Sequence, residues 1–355
     1  MNKYYPRIQV LRGVLFLLIL AFHCGAPFVS FGWGGVEAFF VISAFFLVKK
    51  YWGTGTLDVK KQFAHRIIRL YPPYIVVLIV AALYALLTKV IPFDFVTHLL
   101  SCQNFQWMIT RYSSPMQPMT AHTWTLSIEV WSGLVWLLLL RYLDQKHFKN
   151  SMYMMLFIGV LYRTLSIYLG CDIYMVSLCP VAHFDAFACG SLLAIECKNE
   201  KLNKSIGIMS AIGLVGIVAC VCVIAINNDV SIWQGYLLLS SSKNYLNNLF
   251  TGNIYLYISM MITGLVGLIY IRDSERSEQE VGKIIRLFVI MGDNSYVLYL
   301  FHWLILKIVM RLMQQWIISL PVTLIASIIA TYIFNKIYIR ILEKLHGGMK
   351  HDSTV

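Results

Sequence analysis

Charge is what this chain has least of. Asp, Glu, Lys and Arg make up 13% of its 355 residues, roughly half the share found in soluble globular proteins. A soluble chain with so few charges could not cover its surface, so a bilayer is the simplest solvent for it. Acidic residues are scarcer still, 17 against 29 basic ones, for a net charge of +12. In a soluble protein that balance would point to nucleic acid. Here there is no clustered basic arm and no nucleic-acid motif, which sets that partner aside. Metal-binding and disulfide patterns are also missing. The eight cysteines are scattered, and Cys220 and Cys222 stand too close for a CxxC pair. They read as small core hydrophobes, and no metal-ligand spacing is visible. The chain has no internal repeat, no heptads, no low-complexity tract and no long loop.

What it does have is apolar length. Apolar residues make up 59% of the chain, and a hydrocarbon core about 30 Å thick needs about 20 of them per helix. By that ruler spans fall near 9–29, 34–50, 73–92, 124–141, 152–169, 178–196, 205–226, 253–271, 287–311 and 316–337. The expectation is an all-α integral membrane protein, a bundle of about ten transmembrane helices. One membrane domain covers 1–345, and 346–355 is a tail. The stretch 227–252 is ambiguous, and Trp233 to Leu239 within it reads as a short interfacial or re-entrant segment. Gly292, Asp293 and Asn294 interrupt the ninth span, which can therefore be two pieces. The first span carries Arg12 and His23 and lacks a small-x-small cleavage site, so it reads as a retained helix rather than a signal peptide.

Lys and Arg set the topology. With the N-terminus in the cytoplasm, the tails and the loops on that side hold 22 of the 29 basic residues. They include Lys3, Lys49, Lys50, Arg66, Arg69, Lys198, Lys201 and Arg276. The opposite loops hold only Lys89, Arg111 and Lys243. That asymmetry predicts an even number of spans, a multi-pass protein of the cell's inner (plasma) membrane, and both termini cytoplasmic.

A charge at mid-membrane is costly and marks a functional site by default. Arg12 and His23 lie eleven residues apart, about three turns and about 16 Å along one helix face. A cation near the cytoplasm with a titratable group deeper suits a ligand that enters by its anionic end. Glycines 32, 34 and 35 open the second span and permit close approach of a helix or a ligand. Glu37 follows as a buried carboxylate. Arg66 and Arg69 share a helix face at i, i+3, and planar guanidiniums suit phosphate or carboxylate. Glu129 lies inside a span after Trp124-Thr125-Leu126-Ser127-Ile128, where a carboxylate pairs with a base or stays protonated. A histidine is its natural partner, which it would orient. Beyond it come His183-Phe184-Asp185 with Gly190, and Ser295-Tyr296 with Tyr299 and His302. Each of these also has a bland reading: lipid anchoring, a structural ion pair, or a histidine bonded to a carbonyl.

Taken in order, the series resembles the acyltransferase 3 family of multi-spanning membrane acyltransferases, which acylate bacterial surface sugars. The resemblance runs from Leu11-Arg12-Gly13 and His23, through Gly35-Val36 with Phe39-Phe40-Val41-Ile42-Ser43 and Arg66-x-x-Arg69-Leu70-x-Pro72. It continues through Trp124-x-Leu126-Ser127-x-Glu129 and Phe184-Asp185-x-Phe187 with Gly190, to Tyr299-Leu300-x-His302. The chain departs from the family pattern at Ala44, where glycine is usual, at Val130, where a second acidic residue is common, and at His183, where arginine usually stands.

The resemblance implies transfer of an acyl group, usually acetyl, from cytoplasmic acetyl-CoA or another acyl-CoA to a hydroxyl of a cell-surface or lipid-linked glycan. No metal is implied. His23, Glu129 and Arg12 are the expected catalytic residues, with His23 as general base or as a transiently acylated group. Arg66, Arg69, Gly34, Gly35 and Tyr296 are expected at the donor. Glu37, Trp124, Asp185 and His302 are further candidates. The short loops count against a fused extracytoplasmic domain. The competing class is a secondary transporter or exporter of an acylated or anionic small molecule, which also uses buried charges and broken helices.

Overall fold

A computed structural model of the chain describes residues 4–54, 57–197, 204–274 and 282–351. Lys3, Lys198, Lys201 and Arg276 lie outside them. Among the described residues all regular structure is helical. The long elements are α1 (Pro6–His23), α2 (Gly35–Tyr51), α3 (Val59–Leu87), α4 (Trp124–Tyr142), α5 (Gln145–Tyr168) and α6 (Phe184–Glu196). They are followed by α7 (Lys204–Asn227), α8 (Ile254–Ser274), α9 (Lys283–Asp293), α10 (Ser295–Leu312) and α11 (Trp316–His351). Local chemistry sets their starts. Pro6 occupies the first turn of α1, where no backbone N–H is needed. Asp58 caps α3 by accepting from Lys61 N at 3.0 Å, and Asp144 caps α5 by accepting from His147 N at 2.9 Å.

Among the described residues nine helices are long and apolar enough to cross a membrane, one fewer than the expected ten. The difference is α6. The sixth expected span, 178–196, is a 3₁₀ turn at Pro180–His183 followed by only 13 helical residues. It is buried nearly throughout, against α2, α5 and α8, because Gly190 lets its backbone meet that of Val41 and Phe45. The ninth expected span is two pieces, α9 and α10, divided at Asn294. The third starts earlier than expected, so Arg66 and Arg69 lie within α3 rather than before it. The ambiguous 227–252 stretch holds a short helix, Ile232–Leu238, with a Ser231/Gln234 capping box. Helix α11 continues past the expected tail boundary to His351.

The main core forms where α2, α6 and α8 meet, around Phe40, Phe45, Phe187 and Ile258. The remaining helices pack outside it and turn apolar side chains such as Leu83, Leu87, Val215 and Ile325 outward, as lipid-facing positions require.

Candidate active site

Helices α1, α2, α3, α4 and α10 enclose a cavity of about 620 Å³. It follows α2 from Tyr51 to Val36, about 22 Å at the helical rise. One end is polar and lies at the α2–α3 junction, lined by Lys50, Tyr51, Gln62, His65, Arg66 and Arg69. The other end is uncharged, lined by Phe39, Phe40, Leu126, Thr125 and Tyr299. Four cations (Arg12, Lys50, Arg66, Arg69) face two carboxylates (Glu129, Asp293) across the lining, so the space favours an anion. Asp293 is held by the Tyr4 hydroxyl at 2.8 Å. Partial burial and that bond push the Tyr4 phenol up to about 12, so Tyr4 stays a donor at any physiological pH.

Arg12, Arg66, Arg69, Glu129 and Tyr296 all line this one cavity. The two arginines of α3 are not equivalent. Arg66 is buried and locked: its guanidinium donates to Glu129 Oε1 at 2.5 Å and to the Glu129 carbonyl at 3.1 Å. Ser43 donates to the same carboxylate oxygen at 2.6 Å and lies 3.3 Å from Arg66. Gly133, one turn beyond Glu129, makes the seat, since a Cβ there would lie 2.7 Å from Arg66 Nε. Arg69 is exposed to the cavity and makes no hydrogen bond or ion pair among the described residues. Tyr296 donates to the Leu70 carbonyl at 2.7 Å.

The expected pairing of Glu129 with His23 is not the one formed. Glu129 is occupied by Arg66 and Ser43, and His23 is not among the cavity's lining residues. His23 instead stacks on His302, ring centroids 5.4 Å apart, and meets Trp303 edge-on at 5.0 Å. His302 in turn meets His122 at 5.5 Å. The Tyr299 ring lies 5.4 Å from His122 and 5.3 Å from His302, and the same residue lines the uncharged end of the cavity. His122 precedes Glu129 by seven residues, about 10 Å along the chain's helical rise. The histidine cluster thus sits behind Tyr299 at the end of the cavity remote from Lys50.

Gly34 and Gly35 are also not in the lining. A Cβ on Gly35 would lie 3.0 Å from Ile19, and one on Gly34 would lie 3.3 Å from Ile258. They bring helices together rather than cradle a ligand. Glu37 and Asp185 belong to a second, buried polar cluster. His183 bonds Glu37 at 2.6 Å, and Arg163 bonds Asp185 at 2.6 Å, with every member at most 1% exposed. Arg163 also donates to the Ala182 carbonyl and to Asn253. Phe40, which lines the cavity, packs against His183 at 5.6 Å and Trp124 at 6.4 Å. Two residues of these clusters, Arg163 and His122, were not expected from sequence. Arg163 had a signal, an arginine deep in a span, whereas His122 lies just before the Trp124 motif, among residues that read as loop. Among the described residues no group of three His, Cys, Asp or Glu side chains is arranged to hold a metal.

The chain matches the family model described as "Acyltransferase domain" over residues 5–336. A Staphylococcus aureus (strain COL) protein named "Putative O-acetyltransferase" is 29% identical over 140 residues, 36% of this chain and 23% of that protein. The O-acetyltransferase OatA of Staphylococcus aureus (strain NCTC 8325 / PS 47) is 30% identical over 91 residues, 24% of this chain and 15% of its own length. The matched stretch thus spans less than a quarter of the length of these curated relatives. No solved structure matches the fold.

Proposed function

The chain belongs to the acyltransferase family whose model it matches over residues 5–336, and from that premise we propose that it is a membrane O-acyltransferase. It moves an acyl group, acetyl in the first instance, from cytoplasmic acyl-CoA to a hydroxyl of a cell-surface or lipid-linked glycan. The observation that carries this reading is the cavity, cationic at one end and uncharged at the other, with a histidine cluster beyond Tyr299 at the uncharged end. Acyl-CoA has the same polarity: phosphates at one end, a thioester at the end of a thin uncharged arm. Arg69 and Lys50 meet the phosphates, with Arg12 and the Glu129-locked Arg66 setting the field behind them. The arm runs along α2 toward Thr125 and Tyr299. His23 takes the proton of the acceptor hydroxyl, the oxygen attacks the thioester carbonyl, and the thiolate leaves and regains a proton. Tyr299, which lines the cavity and packs on His122 and His302, stands between the donor and that histidine cluster.

The orientation that serves this chemistry has both termini and the cationic mouth in the cytoplasm. It needs an even number of crossings, and α6 is the candidate tenth. Its start lies level with Glu37 at the start of α2, through His183, and its end lies level with Lys149 at the start of α5, through Glu196. Those two contacts support counting it as a crossing alongside α2 despite its 13 residues. The test uses sealed vesicles of one orientation. Labelled acetyl-CoA offered to the face bearing the C-terminus is consumed, and offered to the other face it is not. Consumption from the opposite face contradicts the proposal.

A further inference from the structure

The histidine cluster carries more than a base. His122 and His302 each spend one ring nitrogen on a backbone carbonyl: His122 Nε2 lies 3.0 Å from the Leu300 carbonyl and His302 Nδ1 lies 2.5 Å from that of Tyr299. A carbonyl only accepts, so both of these nitrogens carry the proton, which fixes the tautomer of each neutral ring. The other two nitrogens, His122 Nδ1 and His302 Nε2, are then lone-pair acceptors. Both are buried and without a hydrogen-bond partner, in side chains 3% and 0% exposed. Buried polar atoms are rarely left unsatisfied in native proteins, and each exception asks for an explanation. Two such acceptors on touching rings, beside His23, ask for one ligand with two donors.

We infer that His122 Nδ1 and His302 Nε2 form the seat for the acceptor substrate, a compound with neighbouring hydroxyl groups, and hold one hydroxyl against His23. The inference rests on the acyltransferase reading and deepens it by naming the acceptor side of the site. A hydroxyl donates to a bare imidazole nitrogen without changing any charge, so the seat recognises a neutral polyol in a low-dielectric interior. The thioester group itself has no such donor, so the reacting end of the donor substrate gains nothing at these two nitrogens. His23, at the C-terminal end of its helix, is less completely buried than the other two histidines. Tyr299, which donates to the His122 carbonyl at 2.8 Å and packs on both rings, forms the wall between the two substrates.

The test uses purified protein, acetyl-CoA, and glycerol as the smallest polyol, with ethanol as a single-hydroxyl comparison. The seat predicts that glycerol outcompetes ethanol. His302→Phe and His122→Phe should raise KM for glycerol about tenfold or more, the cost of a lost buried hydrogen bond, with KM for acetyl-CoA unchanged. His302→Gln and His122→Asn return an acceptor oxygen near the lost nitrogen and should recover most of the affinity, which also covers the case in which the phenylalanine variants fail to fold. A second readout needs no acyl transfer. In histidine-labelled protein, the nitrogen resonances of His122 Nδ1 and His302 Nε2 should shift on adding glycerol without acetyl-CoA. The inference is overturned if glycerol and ethanol are used equally, if the variants lower kcat at unchanged glycerol KM, or if the two resonances ignore glycerol. A protein that binds glycerol there but never consumes acetyl-CoA would keep the seat and remove the acyltransferase reading.

Discussion

Arg66 and Arg69 stand three residues apart on one helix, yet their replacement should have different consequences. Arg66 is 8% exposed and Glu129 17%, with 2.5 Å between their charged atoms. Removing one partner of such a pair leaves a buried charge without compensation, at about 3–5 kcal/mol. Arg66→Ala should therefore lower the thermal midpoint in detergent sharply, and Glu129→Ala should do the same. Arg69 has no bond to lose in the free protein, and exposed positions of that kind change stability by only about 0.5 kcal/mol either way. Its loss should appear in donor binding instead. A charge-assisted contact is worth about 1.5–3 kcal/mol, so KM for acetyl-CoA should rise roughly 10- to 150-fold with the melting curve unmoved. Arg69→Lys should fall between, since it keeps the charge and loses the planar fork. The assay pairs a melting curve with kcat and KM for each variant. Equal loss of stability in Arg69→Ala and Arg66→Ala, or an unchanged acetyl-CoA KM in Arg69→Ala, would refute this division of labour.

Other outcomes follow from the same geometry. Gly133→Ala places a methyl 2.7 Å from Arg66 Nε, and overpacking of that kind costs about 1–3 kcal/mol; a melting curve matching wild type would show that Arg66 can sit elsewhere. Arg163→Met should destabilise the protein by about 3–5 kcal/mol by stranding Asp185, and adding Asp185→Leu should recover part of it; a double variant no better than the single would show that Asp185 has another partner. Reporter fusions after Lys350 and at Gly55, the latter outside the described residues, should read cytoplasmic and a fusion at Ser113 external. An external signal after Lys350 would remove α6 from the count of crossings.

The bundle was legible because a bilayer imposes a crude rule, apolar length, which needs no tertiary information. That rule also explains the miscount. Hydropathy over 178–196 is high because α6 is buried in protein, and it does not report that only 13 residues are helical. The cavity's cations were legible through their spacing on single helices: Arg12 on α1, Arg66 and Arg69 on α3. Partnership was not, because it joins distant positions. Glu129 meets Arg66 across 63 residues and His183 meets Glu37 across 146. The arginine that usually precedes Phe-Asp in the family is His183 here, and a cation for Asp185 comes from Arg163 on α5. No pattern local to either segment announces that pairing.

The central claim is that this chain moves an acyl group and that His23 is needed for the transfer. The direct measurement is release of labelled acetyl from acetyl-CoA by purified protein in detergent, with and without an acceptor alcohol, in wild type and His23→Ala. Wild type should turn over, His23→Ala should not at any acetyl-CoA concentration, and both should show the same acetyl-CoA dissociation constant. Turnover that survives in His23→Ala would contradict the role given to that ring. Acetyl-CoA binding by wild type with no turnover would contradict the enzyme and favour a transporter.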